Sequence, residues 1–207
     1  MSDLTLQTPV RETPANTSAA RVPSDSLPGL KGMWVAVCLE YLEFTMFFSV
    51  YFVARWFHPQ AFQEGAARLW TWGGVAVTLV MLTSGYALTQ AIAAFRQGNA
   101  QRAKQWQGAA LAIGLLYPVI KMLEWRWNQA HAIDASSGIF VVVYYYLTIN
   151  HFLHACWGLG GMVWCLARAK VGTYSSTDVR GLEALATYWH ATDLVWLMIF
   201  ALFYAFV

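Results

Sequence analysis

Four pairs of ionisable residues, each spaced three positions apart, lie inside the most apolar stretches of this 207-residue chain. They are Glu40 and Glu43, Lys121 and Glu124, His151 and His154, and His190 and Asp193. On a helix, residues three apart share one face. Imidazole and carboxylate groups so placed can bind a metal, hold haem iron, relay protons, or lock helices together through hydrogen bonds. Each reading makes a demand on the chain. Di-iron helical bundles use ExxH pairs, whereas this chain has HxxH and HxxD and no ExxH. Haem would need histidines on two helices, such as His190 with His151 or His154. The three cysteines, Cys38, Cys156 and Cys165, lie in apolar runs without a CxxC. They read as small core residues rather than a disulfide framework or a thiolate metal site.

The elements that must position these pairs are membrane helices. The chain is 58% hydrophobic and 12% charged, against about 25% charged for soluble domains. Its net charge of +2 does not point to nucleic acid. Five apolar runs, at 33–56, 69–95, 105–127, 138–166 and 184–206, each approach the roughly 20 residues that cross a bilayer. They are unbroken, which fits helices and not the alternating ten-residue strands of a barrel. The expected fold is an all-α integral membrane bundle of five transmembrane helices. Residues 1–32, rich in Ser, Thr, Pro and Ala with no apolar run, read as a disordered cytoplasmic tail and neither a signal peptide nor a span.

Lys and Arg distribution gives an expected orientation. Arg11, Arg21, Lys31, Arg96, Arg102, Lys104, Arg168, Lys170 and Arg180 fall on one side. Arg55, Arg68, Lys121 and Arg126 fall on the other or near it. The positive-inside rule then puts the N-terminus in the cytoplasm and the C-terminus outside, in a bacterial cytoplasmic membrane. At about 1.5 Å per residue, Glu43, His154, His190 and Asp193 can meet in the inner half of the bilayer. Glu124 lies near the outer surface, where Lys121 can pair with it or snorkel to the interface. Pro118 frees the carbonyl of Gly114 and predicts a kink. Gly158, Gly160 and Gly161 predict close helix approach.

Four of these segments, in order, carry a resemblance. LEALATYWHATDLVWL resembles the last helix of subunit III of haem–copper oxidases, through Glu183, Trp189, His190, Asp193 and Trp196. TINHFLHACWG resembles that family's GxHxxHxxxG through His151, His154 and Gly158, with Asn150 replacing a Gly. IKMLEWRW resembles its (K/Q)xxEY segment through Glu124, with Trp125 in place of Tyr. LEYLEFTMFFSVYFVAR resembles its SExxxFFxxxF helix, with Glu43 matching the intramembrane carboxylate and Glu40 as the alternative. Five spans match the family's short form, and the Lys-x-x-Glu-aromatic segment resembles the nitric oxide reductase accessory (NorE-type) branch.

The resemblance implies a subunit with no redox centre of its own, packed beside a catalytic subunit that holds haem and copper. That partner would be oxidase subunit I or the large subunit of nitric oxide reductase. It also implies bound phospholipid and a part in sustaining proton uptake. The five histidines of this chain are fewer than the six the family's catalytic subunit uses, and His58 and His131 fall in connections. The expectation is therefore a non-catalytic subunit, with no bound metal, in which Glu43, His151, His154, His190 and Asp193 form one intramembrane polar network. The alternative from another class is a membrane cytochrome or metal-binding protein using His151, His154 or His190.

Overall fold

A computed structural model describes residues 29–133 and 138–205. Residues 1–28, most of the expected tail, lie outside the described residues. Every regular element among those described is helical, and five are long and apolar enough to cross a membrane. The first is α1, Lys31–Phe57. A short helix, α2 (Pro59–Ala67), follows it and opens on a proline, which is pre-set for a helical first turn. Next comes α3, Thr71–Arg96. The third span is two helices, α4 (Ala100–Gly114) and α5 (Leu116–Ala130). The fourth is α6, Ile139–Lys170, and the fifth is α7, Arg180–Phe200. A π-type turn at Ala201–Ala205 ends the last span.

The predicted kink is present as a break at Leu115. Pro118 cannot donate to the carbonyl of Gly114, so α4 stops there and α5 begins two residues on. Asn99 starts α4 by accepting a hydrogen bond from the backbone N–H of Arg102 (3.0 Å), which satisfies one of the free amides of a helix start. Several sequence boundaries move, the third span lengthening from 105–127 to Ala100–Ala130. The last span begins at Arg180 instead of residue 184, and the fourth runs to Lys170, because both are polar-ended helices whose ends leave the apolar run. The short helix α2 was not foreseen. Its apolar residues, Phe62 and Ala66, are the ones it buries, and Phe62 packs edge-on against Phe140 of α6 (5.4 Å between centroids).

The helix α7 is the most enclosed of the five spans, and it packs on α1, α3 and α6. Lipid offers helices no hydrophobic drive to associate, so close van der Waals fit must hold them. Gly158 supplies it where α6 crosses α7. A Cβ there would come within 2.8 Å of Trp189, a fully buried side chain. Ser84 of α3 reaches the carbonyl of Ala110 on α4 (2.8 Å), a polar tie between buried helices.

Candidate functional site

Successive residues of a helix turn by about 100°, so the middle of α7 presents different neighbours with different groups. Thr192 faces α1 and α6. Its hydroxyl lies 3.0 Å from Glu40 Oε1 and 3.1 Å from the carbonyl of Tyr188. The backbone carbonyl of Thr192 accepts from Nε2 of His151 (3.2 Å), while the hydroxyl of Tyr117 lies 2.9 Å from His151 Nδ1. These partners assign His151 as a neutral imidazole with its proton on Nε2 and both nitrogens engaged. His151, Tyr117 and Thr192 are fully buried.

His154, one turn along α6, has a different setting. Its Nδ1 donates to the carbonyl of Asn150 (3.0 Å), and its Nε2 faces Glu43 Oε2 of α1 at 3.5 Å. The Nε2 atom and the carboxylate thus share the space between α6 and α1 without a short hydrogen bond. The side chains are 23% and 37% exposed, and they open into a cleft of about 410 Å³ with Leu39, Leu153 and Trp157 on its walls.

His190 and Asp193 point the other way, onto α3. The Thr89 hydroxyl donates to the carbonyl of Gly85 (3.1 Å), so its oxygen is left to accept from His190 Nε2 at 3.3 Å. His190 Nδ1 then faces Asp193 Oδ2 at 3.5 Å. Gly85 makes the approach possible, since a Cβ there would lie 2.8 Å from His190 Cε1 and 2.9 Å from Asp193 Oδ2.

The fourth pair is enclosed. Lys121 Nζ lies 3.0 Å from Glu124 Oε2, and neither side chain is exposed at all. Glu124 Oε1 accepts from the hydroxyl of Tyr144 (2.6 Å) and from that of Tyr204. The ammonium also sits 5.0 Å from the centroid of the Trp196 ring, within cation–π range. Lys121 does not snorkel, because aromatic rings and two hydroxyls already surround it.

The structure thus separates the expected single network. Glu43 meets His154, His190 meets Asp193, and His151 stands between them bonded to Tyr117 and Thr192. The reason is that the three-residue spacing fixes which side chains share a face but not which helix that face meets. Counted from the observed helix starts, Glu43 is about 18 Å along α1 and Asp193 about 20 Å along α7. Glu183, at the start of α7, takes the Arg96 guanidinium at 2.6 Å and the backbone N–H of Gly29 at 3.2 Å, and so ties α7 to the end of α3 and to the segment before α1. Among the described residues, no three His, Cys, Asp or Glu side chains gather as a metal site.

Sequence reasoning missed Thr192, Tyr117, Thr89, Tyr144 and Tyr204. The only available signal was a hydroxyl within an apolar run, which is weak, because Ser and Thr routinely bond to their own helix as Thr148 does to Tyr144 (2.8 Å).

Comparison with known families places this arrangement. Residues 26–207 match the family described as cytochrome c oxidase subunit III. The chain belongs to that family. It is 25% identical over 187 residues to the probable cytochrome c oxidase subunit 3 of Mycobacterium bovis, covering 89% of this chain and 92% of that one. A Nocardia farcinica protein of the same description is 26% identical over 194 residues, covering 93% and 96%. The cytochrome c oxidase subunit 3 of a Synechocystis strain is 27% identical over 174 residues, covering 84% and 73%. Membership agrees with the helices, and this subunit III family member is a multi-pass membrane protein.

Proposed function

We propose that this chain is the non-catalytic third subunit of a haem–copper respiratory oxidase in a bacterial cytoplasmic membrane. It packs beside the catalytic subunit, which holds the haems and copper, stabilises that subunit, and supports its proton uptake. The observation that carries the reading is the Glu43–His154 pair. It lies near mid-span and opens into a cleft whose other walls are mostly apolar. An ionisable pair is costly against bare lipid and is usually met by a partner chain or a wet cavity.

The histidines speak for this reading over an electron-carrying cytochrome. Both nitrogens of His151 are engaged within the bundle, and so is Nδ1 of His154. A haem iron would have to displace a bond of His151, and at His154 would have to take the Nε2 that faces Glu43. Bound phospholipid is part of the proposal. A cleft of about 470 Å³ at the basic end is lined by Arg168 and Arg180 together with Leu185, Trp157 and Gly161.

The test is to purify the tagged chain from its native membrane. We expect a haem–copper catalytic subunit in the same complex, and slowed proton uptake in an intact Glu43→Gln complex. Purification with a nitric oxide reductase large subunit would assign the NorE-type role instead. A stoichiometric haem spectrum in the isolated chain would overturn the non-catalytic reading.

A further inference from the structure

We infer that the seam between α3 and α7 is a docking face for a transmembrane helix of the catalytic partner, which brings an oxygen acceptor to His190 at mid-span. This rests on the function proposed above and names the face through which that partner is held.

The first observation is that the polar pair is incompletely satisfied. Asp193 is only 4% exposed, yet neither of its carboxylate oxygens has a hydrogen bond among the described residues. Its compensation is the long 3.5 Å contact to His190. The imidazole's other nitrogen has only the long 3.3 Å contact to Thr89. Both distances exceed the usual range for N–H···O bonds, so the ring keeps donor capacity for a stronger acceptor.

The second observation is where that capacity lies. The His190 side chain is 47% exposed, about 15 Å along α7. Lipid tails offer no acceptor there, and water is absent from the hydrocarbon. A hydroxyl, amide or carboxylate on a neighbouring helix would complete the ring's bonding and, through it, hold Asp193 in place.

The third observation is the shape of the face. Exposed His190, Leu194 and Met198 repeat at intervals of four along α7, and Leu82 and Tyr86 are exposed on α3 beside them. Such a row of side chains forms the ridge against which a crossing helix packs. Gly85 keeps the two helices close at this level, so the seam has a narrow floor with the polar pair in it.

The test uses the full complex in its native membrane. A photo-crosslinking residue is placed at Leu194, and a control at the exposed Leu123 on α5. We expect position 194 to link to the catalytic subunit. His190→Leu should weaken retention of the catalytic subunit by roughly three- to thirty-fold, the range of one interhelical hydrogen bond. Since that change strips Asp193 of its counter-charge and can disturb folding, Leu194→Trp serves as a second variant. It leaves the pair intact and should weaken retention by obstructing the face. An intact complex in which position 194 links only to lipid or to a second copy of this chain overturns the inference, as does full retention in both variants. If the unaltered chain brings down no catalytic subunit, the proposed function fails first and this inference goes with it.

Discussion

Two acid–base pairs within the bundle are accommodated in opposite ways. Lys121 and Glu124 are sealed, with Tyr144 and Tyr204 donating to the acid and aromatic rings enclosing the ammonium. Glu43 and His154 are joined by one long contact, and their side chains remain open to a cleft. The sealed pair has its partners inside the chain, so its removal should damage this chain alone. The open pair has unused bonding capacity, so its removal should be felt in whatever lies against it. The contrast separates internal structure from service to a neighbour within one bundle.

The hardest test of that contrast is to break the sealed pair. Glu124→Leu strands a fully buried ammonium and leaves two tyrosine hydroxyls without their acceptor. It should lower stability by about 3–5 kcal/mol, read as thermal unfolding of the purified chain in detergent. Lys121→Met combined with Glu124→Leu should recover most of that loss, since it removes both charges together. A single variant as stable as the parent would end the distinction.

A packing change between the two pairs sharpens it. Gly158→Val pushes a side chain onto Trp189 and should cost about 1–3 kcal/mol in the same assay, with no dependence on salt or pH. Glu43→Gln should cost less than about 1 kcal/mol of melting stability, because a half-exposed pair contributes little to folding. Its effect should appear in proton uptake by the complex. A melting loss as large as that of Glu124→Leu would place Glu43 with the structural pair instead.

The smallest effect belongs outside the bilayer. Arg180, the first residue of α7, lies 3.1 Å from Asp178 in the preceding connection, and hydrogen bonds from Arg180 hold the Asp178 carboxyl below its ordinary value of 3.8. The stabilisation this gives is complete above about pH 4 and is lost as the pH falls through the lowered folded value. Both side chains are largely exposed, so Asp178→Asn should barely change melting at neutral pH. Any difference should vanish in stronger acid.

Much of the fold was legible because hydrocarbon leaves so few options. The five apolar runs had to be helices, and Pro118 had to interrupt one. The pairings were legible only in part. Glu124 with Lys121 could be foreseen, since both residues lie on one helix. That Glu40 is buried against Thr192 while Glu43 opens to the cleft could not be foreseen. The two acids share a helix face, and which of them lies deeper depends on how α1 is rolled against α7. The role of Gly85 was equally hidden, because its meaning comes from two side chains about a hundred positions away in the sequence.

By itself the sequence determined the number of spans, the break in the third, and the residues that travel together on each helix. Those follow from the bilayer's exclusion of unpaired backbone groups and from the fixed geometry of the α-helix. The tertiary structure alone decided which of the expected network's members meet, Glu43 with His154 and His190 with Asp193. Burial and hydrogen bonding are properties of neighbours, and neighbours from distant parts of the chain are chosen only when the helices pack.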